Sequence, residues 1–330
     1  MRIGLALPQY DYSVAGESPL TFATLLHYAQ AAESYGYDSL WLSDHLFLDI
    51  KKYGGTSEPQ GAFEPIATLA ALARLVPRVR LGTLVLCEAL RPPTVAAKAL
   101  STLDRIADGR LDVGLGAGYY EPEYAAIGMD LPSPGDRVQR LREATEIIVA
   151  LLSGENLTYS GDFFSCTDAH LDPPAQQKPR PPVFIGGKGD KVLATVADVA
   201  DGWNTCWVWK PEDYRARANV LDRACESIGR DPKSVVRSSG LYAVVGENES
   251  DLAARFERLR AVTPAGVLDS VSLDQWRQGR LVGTAEQVRE QVAVWAELGV
   301  ETIILGAGAL PFQVGALEDV AALSEALKDI

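Results

Sequence analysis

The chain has 330 residues, 47% hydrophobic and 23% charged, with a formal net charge of −13. That composition supports a large core and excludes a disordered chain, and the acidic balance excludes nucleic acid and anionic membrane as partners. No apolar stretch approaches the length of a membrane span and Met1-Arg2 leads straight into a strand, so a soluble, cytoplasmic protein is expected. The four cysteines, Cys87, Cys166, Cys206 and Cys225, have no metal or CxxC spacing and read as reduced structural thiols.

Residues Arg2 to Leu7 alternate as a first strand and end at Pro8-Gln9. A helix from about Leu20 carries Phe22, Leu25, Leu26, Ala29 and Ala32 on one face and stops at Gly36. Ser39 to Leu42 is the second strand and delivers Ser43, Asp44 and His45. Phe47 to Gly61 is a long polar loop at that same end, and Glu64 to Leu75 is the second helix. Val79 to Cys87 is apolar on both faces, as a buried parallel strand should be. Pro92-Pro93 opens the next helix, with Val95, Ala96, Ala99, Leu100 and Leu103 as its stripe, and Asp108-Gly109 ends it. The fourth strand, Leu111 to Leu115, runs into Gly114, Gly116 and Gly118. Glycines there let something approach the backbone closely.

Asp136 to Leu152 is a strong helix. Residues 154–182 have no helical period and contain a small hairpin around Ser160-Gly161. Val183 to Ile185 is strand five, ending in Gly186-Gly187-Lys188-Gly189 before a helix to Ala200. Gly202 to Cys206 is strand six, Pro211 to Ile228 a helix, Val235 to Val245 strand seven and about Ser250 to Val262 a helix. Residues 263–282 are irregular, Thr284 to Leu298 is helical, Thr302 to Leu305 is strand eight, and a last helix begins near Glu318. Eight strands alternating with helices predict an α/β fold, a (β/α)8 TIM barrel forming one domain over 1–330 with insertions at its C-terminal face. A doubly wound sheet is the weaker reading, because no Gly-x-Gly-x-x-Gly turn follows the first strand.

In such a barrel the strand ends converge on one mouth. His45 follows a strand end, beside Asp44, and is the natural group to give or take a proton there. A lone histidine is more often structural, and His27 and His170 read that way. Glu121 lies just beyond the Gly118 turn and is the candidate acid, with helix capping beside Pro122 as the alternative. Gly186-Gly187-Lys188 before a helix reads as a phosphate cradle, with Lys188 or Lys191 adding charge, or equally as a tight turn without a ligand. Of Trp203, Trp207 and Trp209, core packing suits at least two. No metal site is expected.

Together, GYDSLWLSDHLF, RVRLGTLVL with RPPTVAAK, TLDRIADGRLDVGLGAGYYEPEY, PPVFIGGKG and ADGWN resemble the bacterial luciferase-like superfamily of flavin- and deazaflavin-dependent oxidoreductases, over essentially the whole chain. The resemblance implies a barrel holding an isoalloxazine-type ring at its mouth. It also implies a non-prolyl cis peptide near Leu84-Val85 and a cofactor phosphate at Gly186, Gly187 and Lys188. Further cofactor contacts would come from Asp44, Gly116, Ala117, Gly118 and Tyr119, and His45 would be the active-site histidine. Luciferases proper carry an arginine for the FMN phosphate after strand four. Ala117 stands there, which favours coenzyme F420. The deazaflavin branch often places an acid directly after its Gly-x-Gly; here Tyr119 occupies that place and Glu121 follows two residues later. The anionic tail of F420 would need Lys51, Lys52 or Lys188.

The implied activity is F420-dependent hydride transfer to or from a small organic substrate. His45, oriented by Asp44, would handle the proton, with Glu121 as second candidate and the segments 47–61 and 263–282 as lids. An FMN-dependent monooxygenase, fed reduced flavin by a partner reductase and using oxygen, is the alternative. A non-catalytic flavin-binding barrel is the third. A homodimer is implied.

Overall fold

In the computed structural model, which describes residues 1–328 and 330, eight parallel strands close on themselves. They are β1 (Arg2–Ala6), β2 (Ser39–Leu42), β3 (Arg80–Thr83), β4 (Leu111–Gly116), β5 (Val183–Gly186), β6 (Gly202–Trp207), β7 (Val236–Gly246) and β8 (Thr302–Gly306). Each pairs with the next, and Arg2 of β1 opposite Thr302 of β8 closes the ring. This is the (β/α)8 barrel expected from the alternation of strands and helices. Its helices pack outside, each burying an apolar stripe against the sheet.

Inside the barrel, Trp41 of β2 lies across two bare backbones. A Cβ on Gly82 of β3 would sit 2.2 Å from the indole, and one on Gly4 of β1 2.7 Å from its Nε1. The Pro93–Ile106 helix buries Pro93, Ala96, Ala97, Leu100 and Leu103. Its stripe is thus rotated from the expected one: Pro93 and Ala97 are buried, whereas Val95 is 56% exposed. The 154–182 insertion holds the expected hairpin, Leu157–Ser160 with Ser165–Ala169, whose turn amides at Asp162, Phe163 and Phe164 donate to buried Glu143.

Two strands depart from the sequence reading. The expected continuous strand Val79–Cys87 stops at Thr83, passes through a cis peptide at Leu84-Val85 and resumes at Leu86–Cys87 beside β4. Gly82 faces Asp112 whereas Leu86 faces Leu115, so one extra residue is inserted on this side: a bulge. The bulge drives the Val85 side chain against β4 and β5, where a Cβ on Gly114, Gly116 or Gly186 would lie 2.8, 2.5 or 3.1 Å from it. The glycines at these strand ends therefore make room for the chain's own Val85. In the second departure, β7 runs past the barrel rim, and Ala243–Gly246 pairs with a short strand, Leu281–Thr284, which the sequence reading divided between the irregular segment and the start of the next helix.

Candidate active site

The mouth is built on the ends of β1 and β2. Gln9 is fully buried, and its amide donates to the carbonyls of Ser43 and Phe63 while its oxygen accepts from the Ser43 N–H. This clamp fixes the turn that carries Ser43, Asp44 and His45. Asp44 turns to the side: its carboxylate takes two hydrogen bonds from Arg91, at 2.6 and 3.0 Å, and one from the Cys87 N–H at 2.9 Å. It ties β2 to the far end of the bulge and does not touch His45. Arg91 also reaches Glu64, the N-cap of the following helix, at 2.5 Å.

His45 is oriented instead by Glu123. Its Nδ1 lies 2.9 Å from Glu123 Oε2, and the Leu46 N–H donates to Glu123 Oε1 at 2.5 Å. The structure brings Glu123 to His45, and not Glu121, the acid expected from the sequence. A short helix, Glu121–Ala126, begins here with Pro122 in its first turn, leaving Glu121 exposed and burying Glu123 beside Tyr124. Glu123 is the third helical residue, a place from which a long side chain reaches back past the helix start. That signal was present in Tyr120-Glu121-Pro122-Glu123.

His45 and the bulge face one cavity of about 710 Å3, within the range of cofactor and substrate sites. Leu84 and Val85 line it, with Gly116 and Gly118 beyond them. Trp207, Tyr242 and Phe312 form an aromatic wall, Trp207 stacking on Tyr242 at 5.3 Å between centroids and meeting Phe312 edge-on at 5.4 Å. The loop 47–61 contributes Leu48, Lys52 and Tyr53, and the segment 263–282 contributes Val267, Leu268, Val271, Gln275, Trp276 and Arg280. Both proposed lids thus cover the cavity. They meet backbone to backbone: Gly54 and Gly266 have φ of 94° and 88°, and a Cβ on Gly266 would lie 2.2 Å from the Gly54 carbonyl oxygen.

The polar groups of the cavity fall into two sets. Lys52 Nζ donates to the Tyr119 hydroxyl at 2.7 Å, next to His45, whose ring meets Tyr119 edge-on at 5.9 Å. Both residues are exposed at the cavity mouth, and desolvation of their polar groups by the cavity walls pushes the Lys52 ammonium below its usual range and the Tyr119 phenol above its own. Opposite, Tyr242 Oη, Trp276 Nε1 and Arg280 Nε are buried with no partner among the described residues, and the Arg280 guanidinium lies 3.8 Å over the Trp276 ring. Flat apolar walls with unsatisfied donors at one end fit a planar heteroaromatic ring with a polar edge. The half-buried Cys87 and the exposed Cys206 also line the cavity, and desolvation of their thiols pushes them up to about 12 and about 11. All four cysteines are free.

Gly186, Gly187, Lys188 and Ala117 are not on the cavity wall. The flanking strands do reach it, since β5 lies between β4 and β6, which end at Gly116 and Trp207 on the wall. The Gly187 N–H donates to Asn204 and its carbonyl accepts from Trp203, so this glycine serves the turn. The exposed N-terminus of the Asp190–Val199 helix, capped by Gly189 without a side-chain acceptor, remains open to an anion. Trp203 and Trp209 belong to the core and Trp207 to the cavity. Lys51 is exposed and off the wall. Among the described residues no cluster of metal ligands occurs, and no helix is long and apolar enough to cross a membrane.

The luciferase-like monooxygenase family matches residues 1–302. The chain belongs to that family. Among its relatives is the F420-dependent hydroxymycolic acid dehydrogenase of Mycobacterium tuberculosis, 31% identical over 294 residues, covering 87% of this chain and 78% of the relative. Two solved structures share the luciferase-like fold throughout. An F420-dependent secondary alcohol dehydrogenase in complex with an F420-acetone adduct has a TM-score of 0.78 at 20% identity, covering 99% of both chains. A monooxygenase from Streptomyces bottropensis has 0.76 at 22% identity, covering 99% of this chain and 98% of the other. Like these luciferase-like proteins, the chain is an oxidoreductase of the flavin and deazaflavin type.

Proposed function

We propose that the chain is a coenzyme F420-dependent oxidoreductase acting on an alcohol or its carbonyl counterpart. The observation that carries this reading is the His45–Glu123 pair facing the bulged end of β3 across one lidded cavity. The dehydrogenase names of its relatives support it. Coenzyme F420, when bound, supplies two-electron hydride chemistry at its ring. Leu84, Val85, Gly116 and Gly118 would flank that ring. Tyr242, Trp276 and Arg280 would satisfy its polar edge, and the amides at Gly189 and Asp190, with Lys188 beside them, would hold its phosphate.

The chain's own part is proton handling and shielding. Glu123, already fixed by the Leu46 N–H, accepts the Nδ1 proton of His45 and leaves Nε2 to exchange a proton with the substrate oxygen. The two lids exclude water while they do so. Asp44 has a separate task, holding the bulge in place through the Cys87 amide.

The test is titration of the cofactor-free chain with oxidised F420 and with FMN, followed by turnover of His45→Ala. F420 is expected to bind and FMN not. The histidine variant should lose about 10²–10⁴-fold in turnover while F420 affinity changes little. Tight FMN binding without F420 binding would establish the monooxygenase reading instead, and binding of either without any turnover the non-catalytic one.

A further inference from the structure

The His45–Glu123 pair does not exhaust the proton-bearing groups at the mouth. Tyr119 stands immediately after Gly118, whose φ of 65° and close neighbours (a Cβ would lie 2.4 Å from Tyr124 Oη and 2.7 Å from Cys87 Sγ) turn the chain toward the cavity. The Tyr119 oxygen accepts from Lys52 Nζ at 2.7 Å, so its own O–H proton is left to donate elsewhere. Lys52 forms no ion pair among the described residues. Its ammonium lies 4.4 and 4.9 Å over the Tyr119 and Tyr53 rings, which leaves its charge directed at the phenol. Both residues line the cavity beside His45.

We infer that the Tyr119 hydroxyl, backed by Lys52, is a second catalytic group, donating a hydrogen bond to the reacting oxygen of the substrate. The inference rests on the oxidoreductase reading above. Reduction of a ketone adds a hydride at carbon, supplied by the reduced deazaflavin, and moves the C=O π pair onto oxygen. One proton, from His45, then completes the alcohol. Tyr119 keeps its own proton throughout and stabilises the charge that develops on oxygen, the task of a preorganised oxyanion donor. An adjacent cation strengthens such a donor, so Lys52 is the positioning residue.

The decisive measurement is the infrared carbonyl band of cyclohexanone, labelled with carbon-13 at the carbonyl, in the dead-end complex with oxidised F420, where nothing turns over. Wild type should show a bound band shifted to lower frequency. Tyr119→Phe should move it back toward the unpolarised value and lower turnover about 10²-fold, the usual loss of one oxyanion donor. Lys52→Met should weaken the shift and Lys52→Arg restore it. A wild-type band that matches ketone in buffer overturns the inference, as does a Tyr119→Phe band equal to wild type. Absence of F420 binding in the wild type would sink the underlying reading instead, so the two failures are distinguishable.

Discussion

Glu123 and Glu121 are two residues apart, carry the same charge, and have opposite fates. Glu121 meets water, whereas Glu123 is buried against His45. Glu123→Gln keeps an acceptor for the Leu46 amide but can present its NH₂ to Nδ1, favouring the wrong imidazole tautomer. Turnover is expected to fall about 10²-fold or more in steady-state assays, while Glu121→Gln stays near wild type. The pocket thiols give a pH signature. Cys206 is exposed on the cavity wall, yet desolvation of its thiol raises it to about 11, held back only in part by Lys52, and desolvation raises the half-buried Cys87 to about 12. The thiolate is the reactive form. Iodoacetamide labelling of Cys206, followed by mass spectrometry, should therefore be slow at neutral pH and rise about tenfold per pH unit until about pH 11. Fast labelling near pH 7 would contradict the raised value.

At the scale of elements, the bulge and the lids shape the mouth. Asp44 binds Arg91 and the Cys87 amide from a nearly solvent-free position, its side chain 2% exposed. Asp44→Asn leaves a guanidinium short of charge and should destabilise the chain by about 3 kcal/mol in denaturant unfolding, the usual loss when one partner of a buried pair goes. His45→Ala should not do so, which separates the scaffold from the chemistry. The lids meet backbone to backbone at Gly54 and Gly266, with the Val267 side chain close to Gly55. Gly266→Ala would place a Cβ against the Gly54 carbonyl at an unfavourable φ, a strain of about 1–3 kcal/mol. Hydrogen exchange should then accelerate in 47–61 as well as in 263–282. Faster exchange confined to the mutated segment would mean that the lids open independently.

Across the whole molecule, eight strands with both faces buried converge on one chamber. The barrel depends on interior side chains such as Leu5 of β1, which is fully buried. Leu5→Ala is expected to lower stability by about 2–5 kcal/mol, read from a shifted denaturation midpoint at an unchanged slope. Strand and helix periods, prolines at helix starts and glycines at helix ends depend on neighbours a few residues away. The barrel, most helices and the place of His45 at a strand end were accordingly legible in the sequence. The partner of His45, the purpose of Gly114, Gly116 and Gly186, and the pairing of Leu281–Thr284 with β7 were not. Each depends on contacts between residues far apart in the chain: Glu123 meets a histidine delivered by β2, Val85 fills space left by β4 and β5, and a lid returns to the strand it left. Local pattern sets which segments become strands and helices. Only closure of the barrel decides which side chains those segments bring together, because that follows from register and packing rather than from order along the chain.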